Sequence, residues 1–175
     1  MLVLIAAQSI DGFIARPDRP GTGFCSDADS RFLRNALQDF DSLIMGRKTY
    51  ETLRNRILKS VTKRFLRKIV TRHPGTFSAD ARPGLVEFTD ASPSSVLSEL
   101  KTRGRKKTAL LGGGEIYTHY LEEALVDELW ITIEPLLFGG GTPLFTGASE
   151  RSYELLESTK LGKDTVLLKY KPVRS

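Results

Sequence analysis

TALLGGGEIY, residues 108–117, is the stretch whose reading decides the fold. An apolar run, Ala109 to Leu111, stops at Gly112, Gly113 and Gly114, and Glu115, Ile116 and Tyr117 resume with helical character. The pattern is a buried strand, a tight turn and the start of a helix. Glycine takes backbone angles that other residues avoid and lets a ligand approach the main chain closely. The N–H groups that open a helix carry partial positive charge and bind phosphate. Two readings stay open here: a pyrophosphate cradle, most simply for a dinucleotide, or a turn that needs glycine for packing alone. The stretch is not a GxGxxG fingerprint, because Glu115 to Tyr117 offer no third glycine at the required offset.

The same strand–glycine–helix logic recurs outward from this point. Upstream, Ser42 to Met45 is an apolar strand ending at Gly46-Arg47-Lys48-Thr49, with a helix following through Tyr50, Leu53 and Ile57. An arginine fork and a threonine hydroxyl suit phosphate oxygens; the alternative is two solvated cations and a helix cap. Leu2 to Ala7 reads as a strand buried on both faces. It gives way to a turn at Asp11-Gly12 and a loop rich in proline and glycine (Pro17, Pro20, Gly21, Gly23). Ser26 is an N-cap for a helix whose apolar face is Phe32, Leu33, Ala36, Leu37 and Phe40. Asp27 and Asp29 then sit in its first turn as dipole-complementing acids, a catalytic carboxylate being the other reading.

Arg64 to Thr71 is a third strand, closed by the turn Thr71-Arg72-His73-Pro74-Gly75, and Val86 to Thr89 is a short one. Ser92-Pro93 opens a helix to Gly104, with the proline at its first position. The helix after the triple glycine runs to about Ala124, and Val126 to Pro135 is a strand. Phe138 to Phe145 forms a second glycine-rich loop, read either as a cover for a ligand or as a wide turn. Tyr153 to Leu161 and Thr165 to Tyr170 form a closing hairpin. Strands alternating with helices imply a largely parallel sheet covered on both faces, with ligands at the carboxyl ends of its strands. The loops after Ala7, Met45, Thr71, Leu111 and Pro135 all fall at such ends.

Composition narrows the class. The chain of 175 residues fits a single domain spanning residues 1–175. One cysteine, Cys25, excludes an internal disulfide and points to a cytoplasmic protein. Neither a signal peptide nor an apolar run of membrane-spanning length is present. The net charge of +5 suits an anionic small ligand. No interleaved aromatics or DNA-reading pattern supports nucleic-acid binding. His73 and His119 lack ligand spacing, so no metal is expected.

Taken together, AAQSIDGFIA, LIMGRKTYE, LLGGGEIY and LVDELWITIEPLLFGGGTPLF resemble the dihydrofolate reductase superfamily. The resemblance is closest to the branch that includes the reductase domain of riboflavin biosynthesis, and it runs from Met1 to about Phe145. It implies a three-layer α/β/α, dihydrofolate reductase-like fold, with a mostly parallel central sheet and a C-terminal antiparallel hairpin. It implies a reductase that uses NADPH, with Ala7 and Ile14 at the nicotinamide end and Gly46, Arg47, Lys48 and Thr49 on the cofactor phosphates. Gly112, Gly113, Gly114, Glu115 and Ile116 would lie under the pyrophosphate, and Thr71 and Arg72 near the 2′-phosphate.

On the substrate side, Ser9 and Asp11 match the riboflavin-type SxDG pattern. Asp27, Gly139 and Gly140 are further substrate candidates, and Asp11 or Asp29 would carry the proton. Counting back one helical turn from Phe32, where dihydrofolate reductases hold an acid, gives Ala28, flanked by Asp27 and Asp29. The riboflavin enzymes generally place glutamate before the triple glycine, and here that residue is Leu111. The implied reaction is hydride transfer to a ribosylaminopyrimidine. Reduction of a dihydrofolate or pterin is the alternative within enzymes, and a nucleotide-binding module the alternative outside them. Riboflavin-type relatives are often homodimers, and LWITI is the strand that would serve such an interface.

Overall fold

Ten strands and four α-helices alternate along a computed structural model that describes residues 1–19, 21–59, 65–147 and 150–173. Pro20 of the first loop and Arg64, expected to open the third strand, lie outside the described residues. In chain order the elements begin with β1 (Leu2–Ser9), β2 (Phe13–Ala15), α1 (Asp27–Ala36), β3 (Ser42–Gly46) and α2 (Arg47–Lys59). Next come β4 (Leu66–Val70), β5 (Val86–Thr89), α3 (Pro93–Thr102), β6 (Thr108–Leu110) and α4 (Gly114–Glu122). The chain closes with β7 (Glu128–Glu134), β8 (Thr142–Pro143), β9 (Tyr153–Lys160) and β10 (Val166–Pro172). Short 3-10 segments cover Leu37–Asp39 and Pro74–Asp80.

The main sheet has eight strands in the order β5-β4-β3-β6-β1-β7-β10-β9. Its first six are mutually parallel, and β10 runs antiparallel to both neighbours. β1 shows why the continuous apolar runs belong in the middle. Leu2, Leu4 and Ala6 enter a core cluster with Val96 and Leu100 of α3 and Tyr120 of α4. Val3 and Ile5 enter a second cluster with Tyr50 and Ile57 of α2, against which Phe32 and Leu33 of α1 pack. Successive side chains of a strand point to opposite faces, so a strand covered by helices on both sides must be apolar at every position. The expected three layers follow from this, and the terminal hairpin is antiparallel as expected.

Two expectations need correction. β1 continues two residues beyond Ala7, because its parallel pairing with β7 persists through Gln8↔Ile133 and Ser9↔Glu134. The LWITI strand is interior to the sheet, paired to β1 on one edge and β10 on the other. Its Trp130 and Ile131 are buried, and with both edges paired the strand offers no free edge to a second copy. The two-stranded ribbon of β2 and β8 was also not foreseen. Elements of three and two residues are too short to carry a period.

Candidate active site

Because β3, β6, β1 and β7 are parallel and adjacent, their carboxyl ends open on one edge of the sheet. There the glycine turn is stitched into place: Gly46 N–H donates to the Gly112 carbonyl at 2.7 Å. The peptide between Gly112 and Gly113 is cis. Packing explains three of the four glycines here. A Cβ on Gly46 would lie 2.7 Å from Ile116, one on Gly112 2.8 Å from the Tyr117 ring, and one on Gly114 2.8 Å from the Pro143 carbonyl. Gly113 is different, since a Cβ there would meet only Thr49 Oγ1, at 3.7 Å. Gly113 is also the N-cap of α4 and supplies no side-chain acceptor. The first N–H groups of that helix are therefore left without a capping side chain, beside a turn whose main chain a ligand can approach.

Cations and hydroxyls surround this turn. Arg47 and Lys48 are exposed at the start of α2, and Arg47 pairs with Glu51 at 2.9 Å. Thr71 is buried at the end of β4, where its N–H donates to the Thr89 carbonyl at 2.8 Å. Arg72 projects into solvent and pairs with Glu115 at 3.3 Å. A phosphate arriving at either arginine would compete with an exposed carboxylate, and such surface pairs are weak. Ile14 is half-buried on β2 and packs against the core beside Gly114, while Ala7 is half-buried on β1 opposite Thr132.

Across β1 lies a carboxyl cluster that the sequence did not announce. Asp29 is 6% exposed, and its Oδ1 lies 2.5 Å from the Thr132 hydroxyl. It is not the solvated first-turn acid that its position in α1 suggests; Asp27 is the exposed one. Burial raises the Asp29 carboxyl above its ordinary value, and the nearby charge of Glu134 adds to the rise, against hydrogen bonds from Thr132 and Cys25 that lower it. Glu134, 1% exposed, accepts from Ser26 N–H and Ser26 Oγ at 2.9 Å and from Thr165 Oγ1 at 2.9 Å. Burial likewise pushes the Cys25 thiol up. Cys25, Asp29 and Glu134 bring one ligand-type atom each within 4.8 Å of one another. Donors from Ser26, Thr132, Thr165 and Cys25 engage the carboxyl groups, which makes the cluster a hydrogen-bonded network.

Comparisons with known proteins give the chain a family and a fold. The family model of the RibD C-terminal domain matches residues 1–167. The chain belongs to that family. The uncharacterized protein YwjB of Bacillus subtilis (strain 168) is 30% identical over 173 residues, covering 96% of this chain and 95% of YwjB. The crystal structure of a pyrimidine reductase-like protein from Corynebacterium diphtheriae NCTC superposes with a TM-score of 0.77 at 16% identity, over 99% of this chain and 92% of that one. Dihydrofolate reductase from Enterococcus faecalis, complexed with NADP(H) and RAB-propyl, superposes with a TM-score of 0.72 at 18% identity, over 98% and 96%. The dihydrofolate reductase-like fold is thereby established.

In this RibD C-terminal domain Asp11 has a distinct place. It is exposed, and its carboxylate accepts from Ser9 Oγ at 2.6 Å and from Gly139 N–H at 2.7 Å, with Phe138 N–H at 3.1 Å. The Ser9 hydroxyl, first among these donors, holds the carboxyl below its ordinary value. Asp11 thus ties the turn after β1 to the second glycine loop, of which Gly139 is a donor and Gly140 the half-buried next residue. Ser9 itself is fully buried and also accepts from Phe13 N–H at 3.0 Å.

Sequence reasoning passed over Thr132, Glu134 and Thr165. A signal existed in the strand VDELWITIEP. Positions 128, 130, 132 and 134 share one face of β7, and Glu128, Thr132 and Glu134 make that face polar against Leu129, Ile131 and Ile133 on the other. Trp130 on that face lies 6.3 Å from Phe32, centroid to centroid, so the face looks at α1.

Proposed function

We propose that the chain is an NADPH-dependent reductase of the riboflavin-biosynthesis type, adding hydride to C1 of an opened ribosylamine on a pyrimidine. The observation that carries this reading is one sheet edge bearing both a bare, uncapped glycine turn and a buried carboxyl suited to hold a proton. The residues fit such a cofactor. Gly112, Gly113, Gly114, Glu115 and Ile116 would take its pyrophosphate on their main chain. Gly46, Arg47, Lys48 and Thr49 would take phosphate oxygens, Arg72 beside Thr71 the 2′-phosphate, and Ala7 and Ile14 the nicotinamide. Bound NADPH would supply the hydride.

The chain supplies position and a proton. As C1 gains hydride and its double bond to nitrogen opens, Asp29 gives the nitrogen the balancing proton. A carboxyl that burial shifts toward its protonated form suits that role. Asp11, whose carboxyl is held ionised and occupied by loop donors, is assigned to anchoring the loop that covers the substrate, with Ser9 orienting it. Asp27, Gly139 and Gly140 are contacts along that substrate edge. A pterin or dihydrofolate is the second reading, favoured by the buried Asp29–Thr132 pair and by Leu111 where riboflavin enzymes carry glutamate.

The test is NADPH oxidation with a ribosylaminopyrimidine phosphate and, separately, with dihydrofolate. Turnover of the first alone supports the leading reading, and turnover of dihydrofolate alone replaces it with the second. Cofactor binding without oxidation in either assay would leave a nucleotide-binding module.

A further inference from the structure

We infer that Glu134 is a positioning residue: clamped as a carboxylate by Ser26 and Thr165, it makes Asp29 the member of the buried pair that bears the proton. The inference rests on the reading of Asp29 as proton donor and adds what keeps the proton there.

The argument begins with supply of donors. Glu134 receives two hydrogen bonds from Ser26 and one from Thr165, so all three use its oxygens as acceptors. Asp29 has no comparable set. Its partners are the Cys25 thiol and the Thr132 hydroxyl, and Thr132 Oγ1 also lies 3.2 Å from the Ala6 carbonyl, which can only accept. A hydroxyl has one proton to give. Thr132 thus divides one proton between Asp29 Oδ1 at 2.5 Å and the Ala6 carbonyl at 3.2 Å, so Asp29 receives less than a full donor from it.

Two carboxyls within 4.8 Å of each other and this dry do not both ionise, and the charge goes to the one with more hydrogen-bond donors. The titratable groups facing Asp29 are Cys25 ahead of α1, Glu134 on β7 and Tyr117 on α4; β1 presents none. None of these is a cation that would draw the charge back to Asp29. The same bonds fix geometry, because Glu134 ties the N-terminus of α1, where Asp29 sits, to the β9–β10 turn at Thr165.

The experiment is a carbon-13 carboxyl NMR titration of the ligand-free protein, with Asp29→Asn assigning the resonance. The wild-type Asp29 carboxyl should titrate above the ordinary aspartate range. Glu134→Gln should lower its midpoint by about one unit or more, since a neighbouring charge of the same sign is removed. Glutamine can keep its oxygen on Ser26 and donate to Thr165, so the local bonds persist. Thr165→Val, which removes one donor to Glu134, should shift the midpoint the same way by less, and it serves alone if Glu134→Gln does not fold. An unshifted midpoint in the folded variants, or an Asp29 that titrates normally in the wild type, overturns the inference. Because no cofactor or substrate is used, a failed reductase assay leaves this result standing. In an active enzyme, Glu134→Gln should also move the alkaline limb of the kcat profile to lower pH, which a merely structural residue would not do.

Discussion

Gly112 holds a φ of +86°, and a Cβ there would sit 2.8 Å from the Tyr117 ring, whose hydroxyl donates to the Ile5 carbonyl at 2.7 Å. Gly112→Ala must therefore strain the backbone and displace a buried ring together. A loss of about 1–3 kcal/mol is expected in urea unfolding, and no measurable loss would mean the turn relaxes freely. Gly113→Ala meets little resistance from protein atoms and should fold, yet weaken cofactor binding. Asp29 makes a second residue-scale prediction. Its carboxyl is raised by burial, so the folded chain holds a proton that the unfolded chain releases at lower pH. Stability contributed by that proton is present below the ordinary aspartate value and lost as pH rises through the raised one. Asp29→Asn removes this slope, so its Tm should gain on the wild type from pH of about 4 upward while turnover falls by about 100-fold or more. A parallel pair of Tm curves would contradict the raised value. The carboxyl's presence was legible in the sequence as a first-turn acid; its burial was not, because Thr132 and Glu134 lie more than a hundred residues away in the chain.

Strands that are buried on both faces announce themselves, which is why Ser42–Met45 was readable within β3. Helix starts were equally readable: Ser26 accepts from Asp29 N–H and Ser92 from Ser95 N–H, as their N-cap positions require. What a single stretch cannot show is pairing. β2 and β8 meet through loops far apart in sequence, and Gly141 is needed because a Cβ there would lie 2.1 Å from the Ala15 carbonyl. Asp11 belongs to this same cross-loop contact. Asp11→Ala should speed amide exchange at Phe138 and Gly139, whose N–H groups lose their acceptor, and leave exchange in β1 and β7 unchanged. Equal protection at those two amides would remove the anchoring role.

For the whole molecule, the order of the sheet brings together residues from Ala7 to Gly140 on one edge, which no local pattern encodes. The alternation of strands and helices was enough to place the candidate loops at that edge, and the RibD C-terminal domain match over residues 1–167 fits the same architecture. No helix among the described residues is long and apolar enough to cross a membrane. The central claim is that this edge holds a phosphorylated dinucleotide through Gly112 to Ile116, and that Arg72 selects NADPH over NADH. Thermal unfolding with each cofactor tests it most directly. NADPH at 100 times its Kd should stabilise the protein by about 2.7 kcal/mol, visible as a rise in Tm. NADH should give a smaller shift, and Arg72→Ala should bring the two together. Absence of a shift with either cofactor would contradict the account at its root.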